Sequence, residues 1–235
     1  MIVWDIQRHD HLSSTQDHLK SIAASEGGEG LCVQALEQSA GHGRHGRVWN
    51  SPKGNLYLSF FLKPDCDVAK IGELSLLTSV AIAQSIEVLV SAPSMLKWPN
   101  DVLAQDSQGK FHKCAGILVE SVPQDNAVIV GLGVNTQSAP SEGVALDIDT
   151  EQFRDRFLSI FAALYQDWQM HGFEQGRVLW LSYAHKIGAS VSVKVGSDIR
   201  AGTFAGLGDH GTLLLQGADG TITPITSGEI YVTGD

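Results

Sequence analysis

Apolar residues recur along this chain in two alternating periods, and those periods lay out its elements. Phe153, Phe157, Ile160, Phe161, Leu164 and Trp168 fall at i, i+4, i+7, i+8, i+11 and i+15, one face of a long amphipathic helix with an aromatic packing stripe. A second helix is predicted over about 173–186, carrying Val178, Leu179, Leu181 and Tyr183 and stopping at Gly188. Residues 70–91 predict a strongly apolar helix ended by Ser91-Ala92-Pro93. Glu73, Gln84 and Glu87 within it mark a core helix and not a membrane span. Ser13-Ser14-Thr15-Gln16-Asp17 opens one more helix, to about Ser25, with Ser14 and Asp17 at capping-box spacing. Gly27-Gly28-Glu29-Gly30 turns the chain out of it, and residues 1–12 read as a short polar lead.

Between these helices lie extended segments. Leu31 to Leu36 and Asn55 to Leu62 predict buried strands. Pro99 keeps Trp98 extended, so Lys97 and Trp98 end a strand and Pro99-Asn100-Asp101 forms a turn. A hairpin turn at Asp106–Gly109 leads to a strand over Lys113–Glu120. After a turn at Gln124-Asp125-Asn126, Ala127 to Val134 forms the next strand, ending in Gly131-Leu132-Gly133-Val134-Asn135. From Ala189 the texture changes to short strands (190–195, 199–206, 211–216, 221–225, 229–233) separated by glycines. Such spacing without a helix predicts a small closed barrel. The division is placed near 187, with domains over 1–187 and 188–235.

One stretch does not fit a packing role. Gln38-Ser39-Ala40-Gly41-His42-Gly43-Arg44-His45-Gly46-Arg47-Val48-Trp49 places glycines, arginines and histidines together. Glycine lets backbone approach a ligand, successive free N–H groups form an anion nest, and Arg44 and Arg47 are planar forks suited to phosphate or carboxylate. Trp49 is placed to stack on a flat group. Gly41, Gly43 and Gly46 also fit a dinucleotide fingerprint, but no helix follows, as that motif requires. His42 and His45 at i, i+3 lack an evident third metal ligand.

Hydrophobic residues at 43% and charged residues at 18% of the 235 describe an ordinary globular protein. The net charge of −10 argues against general nucleic-acid binding, which needs a basic footprint. Yet Arg44, Arg47, Lys53, Lys97 and Lys113, five of the sixteen basic residues, fall in or near three short motifs. An acidic chain that gathers its cations this way has a local anion site. Cys32, Cys66 and Cys114 show neither metal spacing nor a disulfide framework, which fits a reducing, cytoplasmic setting. The start shows no basic or apolar leader pattern.

Four segments now stand in one order: Ser14-Thr15 before a helix, the glycine loop ending in Arg47-Val48-Trp49, Lys97-Trp98-Pro99-Asn100-Asp101, and Lys113-Cys114-Ala115-Gly116-Ile117-Leu118-Val119-Glu120 followed by Gly131-Leu132-Gly133-Val134-Asn135. This resembles the biotin–protein ligases (biotin–[acetyl-CoA-carboxylase] ligases) over nearly the whole chain. The resemblance implies an α/β (α+β) fold, with a mixed β-sheet catalytic domain and flanking helices followed by a small Src-homology-like β-barrel. The chain starts where the catalytic domain starts, so it looks like the monofunctional kind, without the DNA-binding domain that some members carry. Neither DNA nor a membrane is expected as a partner, and a homodimer is left open.

The implied reaction uses ATP, Mg²⁺ and biotin. Biotin carboxylate attacks the α-phosphate to give biotinyl-adenylate and pyrophosphate. A lysine of a biotin carboxyl carrier protein then displaces AMP. By family match, Ser14, Thr15, Gln16 and Gln38 hydrogen-bond the ureido head, and Gly41, His42 and Gly43 belong to the loop that closes on it. Lys113 and Arg44 neutralise the reacting anions, with Arg47 on the phosphates. Lys97 and Asn100 contact nucleotide phosphate, and Asp101 assists magnesium or the incoming amine. Trp49 stacks on adenine, Asn135 stands near the adenosine, and Gly116 lets ligand approach its strand. His42 stands where the family's loop usually has arginine, so loop closure is expected to be weaker or more pH-dependent. The alternatives are a lipoate or octanoate ligase, whose Arg-Arg-x-x-Gly-Gly-Gly loop is absent here, and a non-catalytic biotin-binding module.

Overall fold

The computed structural model describes residues 2–26, 28–122 and 127–232. The turn expected at Gln124-Asp125-Asn126 lies outside the described residues, as do Gly27 and Thr233. Two sheets carry the fold. The larger has seven strands in the order β1-β2-β3-β7-β6-β5-β4. Its strands are β1 (Asp5–Leu12), β2 (Leu31–Gln38), β3 (Leu56–Leu62), β4 (Ser94–Lys97), β5 (Asp101–Gln105), β6 (Phe111–Val122) and β7 (Ala127–Val134). β1 runs parallel to β2, and the other neighbours are antiparallel, so the sheet is mixed.

The polar lead expected over residues 1–12 is in fact the edge strand β1. Helix α1 (Thr15–Glu26) carries the chain from β1 back to β2, the crossover that a parallel pair requires. The helix begins where expected: Asp17 N–H donates to Ser14 Oγ at 3.3 Å.

Helices cover both faces of the large sheet. On one face Leu19 and Ala23 of α1 pack against Val33, Phe61 and Ile129. On the other, α2 (Ile71–Leu89) and α3 (Thr150–His171) cover Leu58, Phe60, Val130 and Leu132. β3 and β7 are therefore buried on both sides, which is why they read as near-continuous apolar runs. The apolar stripe of α3 is core as predicted, with Phe153, Phe157, Phe161 and Trp168 buried. The segment Val68–Leu89 is long and apolar enough to cross a membrane, yet 67% of its most apolar window is buried within the fold. Helix α4 (Glu174–Tyr183) buries Gly176 and Trp180, while Val178 is 53% exposed.

The last strands, β8 (Ser190–Val195), β9 (Asp198–Leu207), β10 (Leu213–Gln216), β11 (Ile222–Ile225) and β12 (Glu229–Val232), form a five-stranded antiparallel sheet in the order β11-β10-β9-β8-β12. Its buried residues join the same core as α2 and α4.

Candidate active site

The α1 face of the large sheet is not filled by side chains along its whole length. Beyond the N-terminus of α1 lies a cavity of about 700 Å³, within the range of small-molecule sites. Its floor is built from β6 and β7, where Gly116 and Gly133 are cross-strand partners and Gly131 lies opposite Leu118. These positions have no side chain because others lie across them. A Cβ on Gly131 would fall 2.3 Å from Gln16 Oε1, and one on Gly133 would fall 2.3 Å from Trp49 Nε1.

The Gly131 end is a connected polar cluster. Thr15 donates from its backbone N–H to Gln38 Oε1 at 2.8 Å, and Gln38 Nε2 donates to Ser51 Oγ at 2.9 Å. Thr15 Oγ1 and Ser59 Oγ are 2.9 Å apart, and Ser59 donates to Gln16 Oε1 at 3.1 Å. Gln16 Nε2 donates to Glu120 Oε2 at 2.8 Å. Burial alone would raise the Glu120 carboxyl, but hydrogen bonds from Lys20 and Gln16 hold it below its ordinary value. Ser14, Thr15, Gln16 and Ser59 are buried and line the cavity with Gln38. Their donors and acceptors satisfy one another, in positions where a polar ligand head can exchange with them.

The other end, two residues along β7 and so about 7 Å away, is cationic. Lys113 Nζ sits 2.7 Å from Asp101 Oδ1 and 5.3 Å from the centre of the Trp49 ring. Arg44 donates to Asn100 Oδ1 at 3.3 Å, and Asn100 Nδ2 is anchored on Ile117 O at 2.9 Å. Burial draws Arg44 below its ordinary value, against Asp101 and Glu229, which favour the cation. Trp49 lies on the glycine floor, with its Nε1 buried and, among the described residues, without a hydrogen-bond partner. A donor left unpaired at a cavity wall is open to a ligand acceptor.

The glycine loop is a β-hairpin. His42 pairs with Val48, and Trp49 N–H donates to Gly41 O at 2.8 Å. At the tip, Gly43 N–H donates to Arg47 O at 2.7 Å and Arg47 N–H to Arg44 O at 3.3 Å. His45 (φ 57°) and Gly46 (φ 71°) both occupy the left-handed region, the requirement of a type I′ turn. The expected nest of free N–H groups is corrected on this point: the Gly43, Arg47 and Trp49 N–H groups are used within the hairpin. What the loop brings to the cavity is side chains.

The structure gathers most of the expected residues at this cavity: Ser14, Thr15, Gln16 and Gln38 at one end, His42, Gly43, Arg44, Arg47 and Trp49 from the hairpin, and Asn100, Asp101, Lys113, Gly116 and Asn135 from the sheet. Two do not line it. Gly41 is a packing glycine, since its Cβ would fall 2.5 Å from Ser51 Oγ and 2.6 Å from Trp49 O. Lys97 turns away to the small sheet, with Nζ 3.8 Å from Glu229 Oε1 and 4.6 Å from the Tyr231 ring. Asn135 lines the cavity, but its amide also reaches Lys113 O and Val144 O, each at 3.4 Å.

Sequence reasoning missed Ser59, Gly131 and Gly133, the strap at Pro140, Glu142 and Gly143, and Lys194 and Glu229 of the small sheet, all of which line the cavity. Ser59 had a readable signal, as the lone polar residue in an apolar strand. The small-sheet residues had none.

The chain is similar to known proteins along most of its length. Residues 9–136 match the biotin/lipoate A/B protein ligase family, and residues 186–232 match the biotin protein ligase C terminal domain. The bifunctional ligase/repressor BirA of Bacillus subtilis is 35% identical over 94% of this chain and 72% of its own length. The biotin–[acetyl-CoA-carboxylase] ligase of Paracoccus denitrificans is 32% identical over 86% of this chain and 90% of its own. The biotin protein ligase from Aquifex aeolicus, solved in complex with biotin and ATP, superposes with a TM-score of 0.84 at 26% identity, covering 98% of this chain and 99% of that one.

Proposed function

The chain belongs to the biotin/lipoate A/B protein ligase family and is an ATP-dependent biotin–protein ligase, and we propose that the cavity on the α1 face carries out both of its steps. One observation supports this most: a satisfied polar cluster stands at the Gly131 end and a cationic cluster at the Gly133 end of the same glycine floor, positions about 7 Å apart along the strand. Biotin has matching ends, a ureido head and a carboxylate tail. With the head among Ser14, Thr15, Gln16, Gln38 and Ser59, Leu118 offers apolar wall to the tail, and its carboxylate reaches Lys113.

The first step brings a carboxylate to a phosphate, so it needs fixed positive charge at the point of approach. Lys113 meets the carboxylate and then the α-phosphoryl oxygens, and Asp101 holds its ammonium in place at 2.7 Å. Arg44, braced by Asn100, faces the same centre, and Arg47 bears on the outer phosphates. Trp49 provides the flat surface for adenine, and Asn135 stands at the adenosine side. Among the described residues no cluster of three or more acidic, His or Cys side chains could hold an ion, and Asp101 is already paired. That donor set suits Mg²⁺ carried in on phosphates, with Asp101 as a single ligand. In the second step a lysine of a biotin carboxyl carrier protein enters the same mouth and takes biotin from the adenylate. The reading implies a cytoplasmic enzyme, where ATP and its carrier are available.

Biotin-dependent exchange of labelled pyrophosphate into ATP tests the adenylation step, with lipoate as parallel substrate. Exchange with biotin alone is expected. Exchange with lipoate instead would move the chain to the related ligases, and exchange with neither would leave a binding module.

A further inference from the structure

Away from the cavity, the small sheet meets α2 at a buried carboxylate. Glu73, in the first turn of α2, is 3% exposed. A buried carboxylate needs donors. Trp168 Nε1 donates to its Oε2 at 2.5 Å, and His210 Nδ1 lies 3.1 Å from its Oε1. His210 belongs to the turn between β9 and β10, where His210 (φ 55°) and Gly211 (φ 73°) are both left-handed.

The same turn is held at two further points. Trp98 Nε1 donates to Gly211 O at 3.0 Å. A Cβ on Gly211 would fall 2.5 Å from Leu76 Cδ1, so the turn lies directly on α2. Trp98 in turn leads into the site. Ser75 Oγ, also in the first turns of α2, donates to Pro99 O at 3.1 Å. The next residue, Asn100, braces Arg44. An unbroken run of contacts therefore joins His210 to the cationic end of the cavity, while the polar cluster at Thr15 and Gln38 rests on other elements.

We propose that the β9–β10 turn is a positioning element for the nucleotide end of the cavity, in which His210 acts through Glu73, and Gly211 through Trp98, to fix the Trp98-Pro99-Asn100 turn. Neither His210 nor Gly211 lines the cavity, so both act through others. With its proton on Nδ1, His210 donates to Glu73. Asparagine can keep both requirements of position 210, a short amide donor and tolerance of left-handed backbone. Alanine keeps neither.

The test is made on the full chain with His210→Ala and His210→Asn. Amide hydrogen exchange reads local opening and does not depend on activity. Exchange over residues 98–101 is expected to speed up in His210→Ala, and not over Thr15–Leu19, with His210→Asn close to the parent. In the pyrophosphate assay, which rests on the functional reading above, the KM for ATP is expected to rise about 10-fold in His210→Ala with the KM for biotin unchanged, since small misplacements at a reacting centre are amplified. Loss of folded protein alone would lower kcat and leave both KM values in place. Unchanged exchange over 98–101, or KM values that stay put or rise together, overturns the proposal. If the parent chain shows no biotin-dependent pyrophosphate exchange, the functional reading falls instead, and hydrogen exchange alone decides the coupling.

Discussion

Lys113 reaches the cavity because the strand register skips its neighbour. Val102 pairs with Ala115 and Leu103 with Lys113, so the register between β5 and β6 skips Cys114. Such a bulge re-aims side chains, and Lys113 Nζ comes within 3.4 Å of where a Gly116 Cβ would stand. The motif around Lys113 is plain in the sequence, but nothing in Lys-Cys-Ala-Gly announces the bulge, because it arises from pairing with a separate strand. Lys113→Ala is expected to lower biotin-dependent pyrophosphate exchange by at least ~100-fold while thermal unfolding stays near that of the parent. Near-parental turnover would remove Lys113 from the role assigned to it. Gly133 makes a second case. It reads as one glycine in an apolar strand, and only the fold shows Trp49 lying on it. Gly133→Ala is expected to displace the indole and reduce kcat/KM for ATP on the order of 100-fold. Intrinsic tryptophan fluorescence on ATP addition reads the same displacement directly, and an unchanged response would show that the floor tolerates a methyl group.

At the level of elements, what was legible tracks how each element is stabilised. α2, α3, β3 and β7 bury apolar surface in regular periods, so their sequences carry the pattern. β1 does not. Asp-Ile-Gln-Arg-His-Asp-His-Leu is polar because it forms a sheet edge, where charge guards against further pairing, and it reads as a lead. On α4 the deciding residue is Gly176, whose Cβ would fall 2.6 Å from Leu77 Cδ2. Close approach at a glycine carries no apolar signal, so the buried face of α4 is not legible from its apolar residues. The loop of three glycines was legible as a functional element but not as a hairpin, because its tip conformation rests on His45 and Gly46 together. Gly46→Val places a β-branched residue at φ 71°, a strain of roughly 1–2 kcal/mol. Trypsin is expected to cut after Arg44 and Arg47 faster in Gly46→Val than in the parent. Equal cutting rates would mean that the tip is already open in solution.

At the level of the whole molecule, the change of texture near Ala189 was visible, but where the small sheet docks was not, since that depends on charges far apart in sequence. Glu229 of β12 makes the connection at the cavity mouth. Arg47 Nη2 donates to its Oε2 at 2.8 Å, and Lys97 Nζ lies 3.8 Å from its other oxygen. The hydrogen bond from Arg47 is the main cause that draws the Glu229 carboxyl down from 4.5 to about 2, with Tyr231 and Lys97 adding to it against desolvation. The same bond raises Arg47, so the two partners agree. A carboxyl depressed in the folded state stabilises that state above its ordinary value and loses the contribution as pH falls toward the folded one. The contribution here is therefore full at neutral pH and fades between 4.5 and about 2. Because the Arg47 side chain is 66% exposed, solvent screening limits the pair to about 1 kcal/mol, or roughly 2–4 °C of Tm in a chain of this size. Glu229→Gln is expected to lower Tm by that amount at pH 7, with the gap to the parent closing as pH is brought below 4.5. A gap that stayed constant through the window would assign the contribution of Glu229 to shape and not to its charge.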